Sequence, residues 1–171
     1  DIKKVVLTSS FAAVGDTFDG TTSFNETHWS DTSNDKMTFY SKSKTLAERA
    51  AWDYVKDNDV SYQLTVINPV GVLGPSLSDD VGISNSMVLR MLNGSMPALA
   101  KIHIGIVDVR DVAKAHILAM KNTDSDGERF IVSEKEMWMS DIANVLNANG
   151  YKAPEKNMPN LLLKVMALFK S

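Results

Sequence analysis

Hydroxyls at Ser9 and Ser10, a phenol at Tyr40 and an ammonium at Lys44 occur in this chain in that order. Together they can pass a proton to a carbonyl oxygen. Tyr40 and Lys44 are four apart, a spacing that sets two side chains one turn apart on one helix face. A free phenol titrates near pH ~10 and is a poor proton donor or acceptor at neutrality. A nearby ammonium favours the phenolate. Tyr40 can then give a proton to a carbonyl oxygen as hydride arrives at the carbon, or take one in reverse. A serine hydroxyl can hold the same oxygen by a hydrogen bond. Taken singly, each feature is ordinary: a Tyr and a Lys on a helix surface, a Ser-Ser turn after a strand. Their joint order carries the argument, with Tyr40 thirty positions after Ser10 and Pro69 twenty-nine after Tyr40.

These residues need elements to position them. Lys3 to Thr8, with the apolar run Val5-Val6-Leu7, predicts a buried strand. Such a strand delivers Ser10 to the carboxyl edge of a sheet, where ligands bind in open α/β folds. Phe11 to Lys36 reads as a long loop. Thr38 to about Lys56 predicts a helix whose apolar face comprises Leu46, Ala47, Ala50, Ala51, Tyr54 and Val55. Asp57-Asn58-Asp59 stops it. A strand from Tyr62 to Ile67 is followed by a Gly/Pro-punctuated loop from Asn68 to Gly82. Ile83 to Leu92 reads as a helix ended by Asn93-Gly94. Further on come a short strand (Gly105 to Val107), a helix capped by Asp111 and running to about Lys121, and a turn (Thr123 to Gly127). A strand (Arg129 to Val132), a helix from Ser140 to Asn149 closed by Gly150 and a last apolar helix (Asn160 to Phe169) complete the chain. Strands alternating with helices predict an α/β fold with a parallel sheet.

Composition narrows the function classes. The 171 residues are 44% hydrophobic and 23% charged, ordinary for a globular protein with a real core. A net charge of −3 and a pI near 5.6 offer no basic field for nucleic acid or anionic lipid. Cysteine is absent, so there is no disulfide, thiol nucleophile or thiolate metal site. That fits a reducing compartment, and a cytoplasmic location is expected. No apolar run approaches the ~18 residues of a membrane span.

Longer stretches resemble a known family. Val5 to Val14, Val-Val-Leu-Thr-Ser-Ser-Phe-Ala-Ala-Val, is similar to the serine strand of the dihydroflavonol reductase and cinnamoyl-CoA reductase group. That group belongs to the extended short-chain dehydrogenase/reductases, within the NAD-dependent epimerase/dehydratase superfamily. Asn25 to Asp31, with its Glu26 and Trp29-Ser30-Asp31, resembles a loop of that group. Tyr40 to Trp52 resembles its catalytic helix. Ile67 to Pro75, Val107 to Ala113, Gly127 to Phe130 and Leu161-Leu162-Leu163 match later landmarks. The resemblance implies a partial Rossmann-like parallel sheet, the C-terminal part of such an enzyme, with part of its small substrate lobe. Residues 1–171 would form one incomplete domain. Residues 1–75 would be the catalytic half of the sheet, and 76–171 mostly substrate-lobe elements with a returning strand and helix.

The resemblance also implies roles. Tyr40 would be the general acid/base, and Lys44 would bind the nicotinamide ribose. Ser10 would orient the carbonyl, with Ser9 a close alternative and a cofactor contact. Pro69 and the backbone around Val72 would meet the nicotinamide carboxamide, and Ser84, or nearby Ser86, the cofactor. The cofactor would be NADP or NAD, with NADP favoured, and the substrate a small carbonyl compound. No metal is implied: His28, His103 and His116 show no ligand spacing. Asp108 and Arg110 read as local salt links.

The family's front half should carry a Gly-rich turn that holds a pyrophosphate at a helix N-terminus. None of the nine glycines here is one residue from another. The expectation is therefore a fragment, inactive alone and prone to self-association, taken from a reductase. Two alternatives remain. One is a nucleotide-sugar epimerase/dehydratase or hydroxysteroid-type dehydrogenase; Val14-Gly15 and Ile67-Asn68-Pro69 depart from the sugar-nucleotide pattern. The other is a non-catalytic binding or regulatory piece.

Overall fold

Ten regular elements follow one another in the computed structural model, which describes residues 2–16 and 23–159. In chain order they are β1 (Lys4–Thr8), α1 (Phe39–Asp57), β2 (Gln63–Pro69), β3 (Gly71–Leu73), α2 (Gly82–Leu92), β4 (His103–Asp108), α3 (Val109–Lys121), β5 (Arg129–Val132), β6 (Lys135–Trp138) and α4 (Met139–Ala148). The final helix expected at Asn160 to Phe169 lies outside the described residues. The chain divides into two compact units: Asp1–Val70 with Val107–Ser133, and Gly71–Ile106 with Glu134–Ser171.

The first unit holds a parallel sheet in the order β1-β2-β5. β2 is the middle strand, and its residues 64 to 69 are all buried. That burial is characteristic of a parallel strand covered on both faces, and it explains the run Leu64-Thr65-Val66-Ile67. The Thr65 hydroxyl donates to the Ser125 carbonyl at 2.6 Å; further along β2, both amide hydrogens of Asn68 find acceptors, described below, while its buried Oδ1 has none among the described residues. β1 is tied to the turn ahead of β5 by Lys4. Its ammonium, largely shielded, meets Asp126 at 2.5 Å, the Asn122 carbonyl at 2.6 Å and Ser125 at 2.8 Å. Three acceptors offset its desolvation. The expected parallel α/β sheet is therefore found here, with β2 extending two residues beyond its predicted end.

The second unit contains a small sheet in the order β3-β4-β6, with β4 and β6 antiparallel. β3 and β6 were not expected from the sequence. β3 hides in the Gly/Pro-rich stretch, where three residues give too little alternation to read. Gly71 has a packing reason: a Cβ there would approach the Gly105 carbonyl oxygen to 2.9 Å. Asn85 on α2 pins the segment after β3 by accepting from the Gly74 N–H at 3.2 Å and donating to the Gly74 carbonyl at 2.8 Å. The core is apolar: Met91, Leu99, Met139, Ile142 and Ala143.

Two predicted caps move. Asp108, not Asp111, caps α3, its carboxylate accepting from the Arg110 N–H at 2.8 Å. α4 begins at Met139 rather than after Ser140, and Asp141 reaches back to the Trp138 N–H at 3.1 Å. In both cases the helix starts earlier than the hydroxyl or carboxylate nearest the apolar pattern. No helix among the described residues is long and apolar enough to cross a membrane.

Candidate active site

Helix α1 is positioned by a polar stripe. Its buried residues are Ser41, Thr45 and Glu48, not the apolar set that the 3.6-residue period picked out. Leu46 and Tyr54 are half exposed. The spacing 41, 45, 48 is itself one helical face, but its members are polar and read from sequence as solvent-facing. Thr38 caps the helix, accepting from the Ser41 N–H at 3.1 Å. Thr45 donates to the Ser41 carbonyl at 2.8 Å.

Glu48 is the centre of the unit. Its Oε2 accepts from the Ser9 hydroxyl at 2.5 Å and from Asn68 Nδ2 at 2.7 Å. Its Oε1 accepts from Arg129 Nε at 2.5 Å and from Trp52 Nε1 at 3.4 Å. A fully buried carboxylate survives only when paired and hydrogen-bonded, and Glu48, with 1% exposure, meets both conditions. Arg129 also donates to the carbonyls of Glu26 and His28 at 2.8 and 2.9 Å, and its guanidinium lies 3.7 Å from the Trp29 ring centre. The loop residues resembling a family signature are therefore held by β5.

The expected site residues of the first unit take distinct places. Ser9 is buried and commits its hydroxyl proton to Glu48. Ser10 is half-buried and extended. Its Oγ accepts from the Ala12 N–H at 3.2 Å, so its hydroxyl hydrogen has no protein acceptor among the described residues. The carbonyl of Ser10 is fixed by the Ala13 N–H at 2.9 Å and Asn68 Nδ2 at 3.1 Å. Of the two serines, Ser10 is thus the one left able to donate. Tyr40 and Lys44 lie on the first turns of α1, beside Ser41 and Thr45. Tyr40 is 49% exposed, and Lys44 Nζ lies 6.0 Å from its ring centre. Among the described residues neither the Tyr40 hydroxyl nor the Lys44 ammonium has a hydrogen-bond partner. Pro69 closes β2 and is buried.

Val72, on β3, and Ser84, on α2, belong to the second unit. Ser86 donates to the Gly82 carbonyl at 2.6 Å, whereas Ser84 has no such bond among the described residues. The same unit carries an apolar cleft of about 530 Å³ lined by Leu73, Val88, Leu89, Ile106, Met137 and Ile142, among others.

The remaining polar candidates have local partners. Arg110 grips Asp108 with two side-chain bonds, 2.9 and 2.5 Å, and with its backbone N–H. The Asp108 carboxyl is thereby held well below the usual carboxylate range. Ser33, mainly through its hydroxyl, lowers the Asp31 carboxyl in the same way. His116 bonds the Val112 carbonyl and Thr8, at 2.8 and 2.7 Å. Among the described residues no three His, Cys, Asp or Glu side chains gather as a metal site.

Sequence reasoning missed Glu48, Asn68 and Arg129. A Glu four residues after a Lys looks like an ordinary surface helix pair. The one available signal was the Ser41-Thr45-Glu48 stripe.

Residues 1–152 match the family model described as the 3-beta hydroxysteroid dehydrogenase/isomerase family. The chain is 37% identical over 162 residues to the NADPH-dependent methylglyoxal reductase GRE2 of Saccharomyces cerevisiae, covering 85% of this chain and 47% of that protein. It is 36% identical over 151 residues to cinnamoyl-CoA reductase 2 of Medicago truncatula, covering 85% and 44%. Among solved structures, yeast methylglyoxal/isovaleraldehyde reductase Gre2 complexed with NADPH superposes with a TM-score of 0.73 at 34% identity, covering 90% of this chain and 51% of that one. The chain spans about half the length of the curated relatives it matches.

Proposed function

The chain belongs to the 3-beta hydroxysteroid dehydrogenase/isomerase family, and from that footing we propose that the protein is an NAD(P)H-dependent reductase of ketones and aldehydes. The carrying observation is the pairing of Tyr40 and Lys44, with polar ends open among the described residues, on a helix packed beside Ser10, which of the Ser9-Ser10 pair is the one left able to donate. Relatives named as NADPH-dependent reductases, among them a structure complexed with NADPH, support the reading and favour NADPH.

The cofactor fits these residues at one end. The open Lys44 ammonium and Tyr40 hydroxyl suit a nicotinamide ribose, and Pro69 of the same unit is assigned to the nicotinamide side. The nine glycines offer no Gly-x-Gly turn for a pyrophosphate. A bound nicotinamide supplies the hydride. Ser10 donates a hydrogen bond to the substrate oxygen and holds it where negative charge develops. Tyr40 gives its phenolic proton to that oxygen, and Lys44 compensates the charge left on the phenol. In the reverse direction Tyr40 takes the proton of an alcohol.

The test is NADPH oxidation by the protein as its gene encodes it, with methylglyoxal, isovaleraldehyde and cinnamoyl-CoA as carbonyl substrates. Turnover of at least one, abolished in Tyr40→Phe, is expected. No oxidation with any of them rejects the reading. The family match gives a specific reason to include a 3-hydroxysteroid with NAD in the panel. The 171-residue chain alone is expected not to bind NADPH saturably; saturable binding would mean that it builds a cofactor site by itself or by self-association.

A further inference from the structure

We infer that Glu48 is a positioning residue for proton transfer: one buried carboxylate sets where Ser10 and Tyr40 stand relative to each other. The inference rests on the assignment of Ser10, Tyr40 and Lys44 given above and adds a residue that touches neither substrate nor cofactor.

Among the described residues, Glu48 is the only residue of α1 hydrogen-bonded to the sheet or to the serine pair that follows β1. The other buried polar groups of the helix bond within it or to its cap: Thr45 to the Ser41 carbonyl, and Ser41 to Thr38. Glu48 is therefore the hydrogen-bonded anchor of α1 on the sheet, and with it of the direction of Tyr40 and Lys44. Its partners are the residues that place the rest of the site. Ser9 is bonded through the chain to Ser10. Asn68 gives one amide hydrogen to Glu48 and the other to the Ser10 carbonyl, and it precedes Pro69. Arg129 neutralises the carboxylate and holds the Glu26-to-Trp29 loop. A carboxylate only accepts, and all four groups around Glu48 donate. Glutamine has nearly the same shape but replaces one acceptor oxygen by a donor. Whichever way that amide sits, it opposes either Arg129 or the Ser9–Asn68 pair. Glu48→Gln must therefore loosen one side of the junction without leaving a cavity.

The experiment compares Glu48→Gln with wild type in the protein as its gene encodes it, reading kcat per NADPH-binding site, NADPH Kd and thermal stability. The expected result is a kcat lower by roughly 10- to 100-fold, the scale of a misplacement of about an ångström, without a comparable change in Kd. A merely structural role would lower stability and the folded fraction but leave kcat per binding site unchanged, and that outcome overturns the inference. If Glu48→Gln does not fold, Ser9→Ala removes a single donor. It is expected to lower kcat in the same pattern by a smaller factor, and a wild-type kcat there overturns the inference. If the wild-type protein reduces no carbonyl, the reductase reading fails separately. Crystal structures of wild type and Ser9→Ala then decide the positioning role. A change of about 0.5 Å or more in the Ser10–Tyr40 separation supports it, and an unchanged separation overturns it.

Discussion

The two units bury different chemistry. Among the described residues, the buried polar ones are Ser9, Ser30, Ser41, Thr45, Glu48, Thr65, Asn68 and Ser125, and all belong to the first unit. The second is closed by Met91, Leu99, Met139, Ile142 and Ala143, with Met87, Met96 and Met137 packed against them. Hydrogen bonds have direction and apolar contacts do not. A buried polar network, once satisfied, holds its members in one arrangement. A methionine-rich core fills space adaptably. The first unit carries the residues proposed to meet a reacting oxygen, and its buried polar groups are joined by directional bonds. The second carries an apolar cleft of about 530 Å³.

That contrast can be broken at several points. The largest effect is expected from Tyr40→Phe, which removes the proton donor and leaves the junction untouched. Turnover should fall by about 10²- to 10⁴-fold, with NADPH affinity nearly unchanged in a fluorescence titration. Next is Glu48→Ala, which leaves the buried Arg129 guanidinium without its carboxylate and takes an acceptor from Ser9 and Asn68. Stability should drop by about 3–5 kcal/mol in denaturant unfolding, the range for breaking one side of a buried ion pair. A loss below about 1 kcal/mol would mean that the first unit is not organised around this carboxylate.

In the second unit, Leu99→Ala should cost about 2–5 kcal/mol through the cavity it leaves. Met91→Leu, similar in volume, should cost less than about 1.5 kcal/mol and leave kcat intact. If Met91→Leu proved as damaging to kcat as Glu48→Gln, the distinction between a directional and an adaptable unit would fail.

The smallest effect is expected at Asp108. Its folded carboxyl titrates below the ordinary carboxylate range because Arg110 bonds it. The group therefore contributes stability above the unfolded value, and loses that contribution as pH falls toward the folded one. Asp108→Asn should lower Tm slightly at neutral pH, with the gap to wild type closing as the pH is lowered. The side chain is solvated at the surface, so the gap is small.

Much of this was legible before the structure. Val5-Val6-Leu7, Leu64 to Ile67 and the stretch from Phe39 to Asp57 appear where apolar runs and helix signals predict them. Asn93-Gly94 and Asn149-Gly150 end their helices, and both glycines have positive φ. The order Ser10, Tyr40, Lys44 was read from spacing, and the family resemblance from the motifs around it. β3 and β6 were missed because strands of three and four residues leave little period to detect. The apolar face assigned to α1 was wrong because the helix docks through hydroxyls and a carboxylate, which hydropathy counts as outward.

By itself, then, the sequence determined the local elements, the spacing of Tyr40 and Lys44, and the family, because these depend on neighbours along the chain. Only the tertiary structure decided which of two adjacent serines gives its hydroxyl hydrogen to Glu48. It alone turned an ordinary helical glutamate into the junction of donors from β2, β5 and the turn after β1. The physical reason is burial: a carboxylate's role depends on whether water or other protein groups surround it. Ser9, Asn68 and Arg129 reach Glu48 from positions 39, 20 and 81 residues away.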